Sequence, residues 1–123
     1  MFIACLLFTS VAFAQNDQKE KTVFTYVEKM PEPGFDLPRY LSGNLHYPDS
    51  ARRSGIQGRV IVRFVVNEDG HISDPKVFKS IGGGCDEEAL RLVEKMPNWK
   101  PGEQNGKKVK VYYTLPLTFK LDN

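Results

Sequence analysis

Few residues of this chain have types that could carry chemistry: Cys85, His46, His71 and the run Gly82–Gly84. Cys85 stands where a helix is expected to start, a position that favours a thiolate. Asp86, Glu87 and Glu88 follow it at once and oppose that charge, and neither histidine is near it in sequence. A packed thiol is the expectation, with an exported thiol enzyme as the outside alternative. His46 and His71 lie in separate loops without ligand spacing, so no metal site is expected. Gly82–Gly84 before a helix could cradle a phosphate, but no Lys-Ser/Thr pair follows and three acids would repel an anion. A strand-to-helix turn is the reading. There are no paired carboxylates, no Ser/His/Asp arrangement and no cofactor fingerprint. The residues give no support for an enzyme and call for no cofactor.

What remains is backbone chemistry, carried by Lys107–Leu121. Val109, Val111, Tyr113, Leu115, Leu117, Phe119 and Leu121 alternate with Lys108, Lys110, Tyr112, Thr114, Pro116, Thr118 and Lys120. Such a period-two pattern predicts a half-buried strand. Pro116 has no N–H for a ladder, which favours an edge or a bulge. An edge strand offers unpaired N–H and C=O groups to another chain.

The other elements must position that edge. Val23–Val27 has the β-branched and aromatic content of a short strand, ended by Pro31, Pro33 and Gly34. Asp36 suits the N-cap of a helix through Leu45. Tyr47–Gly55 reads as a compact helix, with Pro48 at its first position and Gly55 past its end. Arg59–Val66 is a strand with Val60, Val62, Phe64 and Val66 on one face. Asn67–Gly70 turns it into a second strand, His71 to about Ile81, irregular at Asp74-Pro75. Cys85–Met96 is a helix with acids first, Lys95 near the end and a stripe of Ala89, Leu92, Val93 and Met96. Trp99 is expected in the core or as a plug at the sheet end, and a Gly/Asn/Lys-rich loop runs to Gly106. The order predicts an α+β two-layer sandwich: a three-stranded antiparallel sheet of order 2-1-3, helices on one face, plus the short N-terminal strand. The Lys107–Leu121 strand then falls at the edge.

At 123 residues the chain is long enough for one domain with a real core. A net charge of +2 does not point to nucleic acid. Met1–Ala14 is apolar and ends Ala12-Phe13-Ala14, the pattern of a cleaved signal peptide. As a helix it would reach about 21 Å, short of the roughly 30 Å hydrocarbon core, so it is expected to export rather than span. Gln15–Lys21 is a short polar leader, and 22–123 is the folded domain. After cleavage Cys85 is the one thiol left, so no internal disulfide is expected.

Taken together, Tyr47-Pro48, Ala51, Gly55, Gly58, the Val60/Val62/Phe64/Val66 strand, Asp69-Gly70, Asp86-Glu87-Glu88-Ala89-Leu90 and Trp99-Lys100-Pro101-Gly102 resemble the TonB C-terminal domain family. Val27-Glu28-Lys29-Met30-Pro31 is similar to the lead-in of its Bacteroidetes branch, and the resemblance spans roughly residues 22–121. It implies a periplasmic end of an energy transducer, whose partner is the TonB-box segment of an outer-membrane receptor. The grip it implies is strand addition, on an edge carried over as Val109, Lys110, Val111, Tyr112, Tyr113, Thr114 and Leu115. An inner-membrane proton-driven motor complex would be a partner only of a longer form, since the chain reads as a free-standing exported domain. The alternative is an exported module that dimerises through the same edge, as a structural or regulatory homodimer.

Overall fold

The computed structural model describes residues 22–121. The expected signal peptide Met1–Ala14 and leader Gln15–Lys21 lie outside the described residues. In chain order the elements are β1 (Glu32–Pro33), α1 (Leu37–Asn44), α2 (Asp49–Arg53), β2 (Gly58–Val66), β3 (Ile72–Lys79), α3 (Cys85–Glu94), β4 (Trp99–Lys100), β5 (Gly102–Gln104), β6 (Lys107–Val109) and β7 (Val111–Phe119).

β2 and β7 pair antiparallel from Gly58↔Phe119 to Val66↔Val111 without a register shift. Alternation then sorts their side chains. Val60, Val62, Phe64 and Val66 are buried together with Leu115, Leu117 and Phe119, and α3 lays Ala89, Leu92 and Val93 on them, with Met96 just past its end. Tyr40 and Leu41 of α1 and Ala51 of α2 join the same cluster, so the helices cover one sheet face. β3 pairs with the far side of β2, giving the order β3-β2-β7, which is the expected 2-1-3. Asp36 caps α1 through Arg39 N–H at 3.2 Å, as its position before the helix requires. Near Asp74-Pro75 the β2–β3 register shifts between Arg63 and Val65, and Asp74 itself takes φ 52°.

Four expectations need correction. Val23–Val27 is not a strand: Phe24 makes one parallel bridge to Val111, and the first strand is β1, paired with β4. The segment touches the sheet at one residue before it turns away, so its β-propensity has nothing to extend against. Lys107–Leu121 is not one strand. It breaks at Lys110, where the chain changes partner from β5, with Val109 opposite Gly102, to β2, with Val111 opposite Val66. The supposed loop before it is a hairpin, because Asn105 (φ 54°) and Gly106 (φ 76°) supply the left-handed pair a two-residue turn demands. α2 also starts one residue later than expected, at Asp49 with Pro48 as its cap.

Trp99 plugs the end of the sheet. It is buried, with ring centroids of Tyr113 at 4.7 Å, Phe64 at 5.3 Å and Phe35 at 6.4 Å. Among the described residues its Nε1–H has no hydrogen-bond partner though it is buried, and aromatic packing holds the ring. Its backbone N–H donates to the Gly70 carbonyl at 2.8 Å, tying the β2–β3 turn to the plug. Gly70 has φ 93°, and a Cβ there would lie 2.2 Å from the Trp99 carbonyl oxygen. Gly70→Ala should therefore destabilise by about 2 kcal/mol or more, read as a melting point lowered by roughly 10 °C.

Glu88 locks α1 to α3. Buried at 9% exposure, it accepts from the His46 backbone N–H at 2.6 Å and from Arg91 Nη2 at 2.7 Å, and Arg91 also donates to the Asn44 carbonyl at 2.8 Å. Burial alone would push the Glu88 carboxyl up. The Arg91 guanidinium and the His46 N–H outweigh it and hold the group below its usual value. A depressed pKa contributes stability above the unfolded-state pKa that is lost as pH falls through the folded one. Wild type should lose stability on acidification through and below the ordinary glutamate range. Glu88→Gln should be less stable at neutral pH by about 1–3 kcal/mol and flatter across that window, as denaturant titrations at stepped pH would show.

Candidate strand-addition edge

The inner side of β7 is spent on β2. On its outer side the Tyr112 N–H donates to the Phe24 carbonyl and the Phe24 N–H donates to the Lys110 carbonyl, both at 2.9 Å. Main-chain groups alternate sides along an antiparallel strand. Lys110, Tyr112, Thr114, Pro116 and Thr118 therefore turn theirs outward, while Val111, Tyr113 and Leu115 bond to Val66, Phe64 and Val62. Pro116 falls on the outward row, where its missing N–H costs no ladder bond.

Each residue of the expected edge has a definite place. Val109 belongs to the β5–β6 hairpin and Lys110 is the link. Val111 is buried beneath Gly102, where a Cβ would sit 2.8 Å from its Cγ2. Tyr112 is half-buried on the open sheet face, with the Arg63 guanidinium 3.7 Å from its ring centroid. Tyr113 packs on Trp99, Leu115 is core, and Thr114 is exposed. The fold thus brings Tyr112 and Thr114 together as outward-facing groups, with Lys110 beside them, and spends the other residues on the scaffold.

A hollow lies on each side of this edge. On the helix side, about 340 Å³ is lined by Pro38, Leu41 and Leu45 of the α1 region with Pro116 and Leu117. On the open side, about 470 Å³ is lined by Tyr26, Met30, Arg63, Phe78, Tyr112 and Thr114. Arg63 lies between Tyr112 and Phe78, whose centroid is 5.3 Å away, and Phe78 is more than half exposed.

Residues 43–121 match the family described as Gram-negative bacterial TonB protein C-terminal. The chain belongs to that family. Its relatives in TonB-dependent transport are energy transducers. Two NMR solution structures of the Helicobacter pylori TonB C-terminal domain are similar to it. The shorter is 27% identical, with a TM-score of 0.55 over 71% of this chain and 91% of that one. The longer is 23% identical, with a TM-score of 0.53 over 93% of this chain and 99% of that one. No curated relative matches.

In this TonB C-terminal domain the side chains with chemical potential are put to structural use. Cys85 is fully buried; burial pushes its thiol up, and Asp86, Glu87 and Glu88 push it further. His71 Nδ1 lies 2.5 Å from Asp69 Oδ1 within the exposed β2–β3 turn, and His46 serves Glu88 through its backbone. Among the described residues no group of His, Cys, Asp and Glu could hold a metal, and no helix is long and apolar enough to cross a membrane. The sequence reading missed Phe24, the stacked Arg63 and the hollow under α1. Its available signals were the Asn105-Gly106 pair and the aromatic content of Val23–Val27. In the native domain Cys85 should stay unmodified by iodoacetamide near neutral pH and react once denatured, as intact-mass spectrometry would show.

Proposed function

We propose that this domain is a non-catalytic, periplasmic binding module that takes the TonB-box segment of an outer-membrane receptor by strand addition along the Val109–Leu115 edge, in TonB-dependent transport. The observation that carries the reading is the outward row of β7 backbone groups with a hollow on each side. A strand laid against that row sends its side chains alternately to the two sheet faces. One set meets the apolar hollow under α1 and the other meets Arg63, Phe78 and Tyr112. Main-chain bonds then supply affinity and the hollows supply selectivity. Four to six ladder bonds at about 0.5–1.5 kcal/mol each, less ordering costs, leave micromolar affinity at best. Such a contact loads and releases readily. An inner-membrane motor complex enters as a partner where a longer form supplies the connection.

Thr114 tests the reading, because its N–H faces outward and its side chain is exposed. Thr114→Pro removes that donor and should weaken binding of receptor plug N-terminal peptides about tenfold or more, while Thr114→Ala, which keeps the N–H, should bind within about twofold of wild type. NMR titration of each protein measures this. Equal binding by the proline variant would remove the edge from the mechanism.

A further inference from the structure

The edge proposed above is partly occupied by the chain itself. Phe24 holds the Lys110 carbonyl and the Tyr112 N–H through two backbone bonds of 2.9 Å. Downstream the same segment is anchored more firmly. Glu28 N–H donates to Gln104 Oε1 at 2.8 Å and Glu28 Oε1 accepts from Asn105 N–H at 2.8 Å. Lys29 exchanges two further backbone bonds with Glu103, at 2.8 and 3.1 Å. Among the described residues four bonds thus hold Glu28–Lys29 on the hairpin, against two at Phe24. Between the two attachments Tyr26 is 82% exposed, beside the hollow of about 470 Å³ that it shares with Arg63 and Phe78. The stretch Val23–Tyr26 is a clip fastened at Phe24 over a poorly filled gap, with a strong hinge behind it.

We infer that the partner strand takes the place of this clip: the docking surface extends under Val23–Tyr26, and binding releases Phe24 from Lys110 and Tyr112. The inference rests on the strand-addition reading and specifies which groups the partner takes. The exchange is close to balanced, because two backbone bonds are replaced by two of the same kind. The partner gains in addition the Thr114 N–H and the hollow that Tyr26 leaves open. The Glu28–Lys29 anchor survives, so release is local and the core is undisturbed. A site blocked part of the time binds more weakly by the fraction that is open.

The test uses the full chain and a receptor plug N-terminal peptide, read by amide hydrogen exchange and by affinity. At saturation the Phe24 N–H should exchange freely while the Tyr112 N–H stays protected. Phe24→Pro, which lacks the donor to Lys110, should bind the peptide about two- to tenfold more tightly, with the Trp99 backbone amide shift unchanged to show an intact core. A Phe24 N–H still protected at saturation, with the proline variant binding as wild type does, overturns the inference and leaves strand addition standing beyond the clip. Weaker binding by the proline variant also overturns it, making Phe24 part of the site. Absence of binding to both proteins overturns strand addition itself.

Discussion

The unbroken β2–β7 ladder is the constraint on which the rest of the molecule depends. Its register decides which side chains go inward, and with them where the helices must lie. It also decides which backbone groups of β7 are spent and which are left over. A shift of one residue would send Leu115, Leu117 and Phe119 to solvent and carry Thr114 and Pro116 into the core. The core and the edge are therefore two results of one alignment. Phe64 shows the coupling most directly: it pairs with Tyr113 across the ladder and packs with Trp99, whose N–H ties down the β2–β3 turn.

Features that suggest chemistry in the sequence turn out to hold this arrangement in place. Gly82–Gly84 makes a tight passage. A Cβ on Gly83, at φ 68°, would lie 2.7 Å from Ile56 Cδ1, so the glycine lets α2 sit against the start of α3. Ser50 Oγ then donates to the Gly83 carbonyl at 2.7 Å. The acids that follow are likewise engaged: Asp86 accepts from the Ser80 hydroxyl and from the Ile81 N–H, and Glu88 joins α3 to the end of α1.

How much of this was legible follows from where each feature has its cause. The sheet order, the capping Asp36 and the buried stripe of α3 are written in local periods and end signals, which sequence carries directly. The Asn105-Gly106 hairpin was signalled too, but strands of three residues are too short to show alternation. The Phe24 clip is different in kind. Two backbone bonds made by one residue leave no periodic trace, and any residue but proline at that position could make them. The hollow under α1 and the stacking of Arg63 on Tyr112 arise only when distant segments meet. The scaffold was thus readable and the detailed surface of the site was not.

Pro116 has a consequence for colloidal behaviour. An open sheet edge is a template on which identical chains can stack, each new strand passing its own free edge to the next. Such growth needs a continuous row of donors. On β7 the outward donors are those of Tyr112, Thr114 and Thr118, and the proline interrupts them between the last two. A short visiting strand finds enough partners at one end of the row, whereas an extended copy of the same strand meets a gap midway. The missing donor thus makes the edge a poor template for fibril growth, whichever short strand pairs beside it.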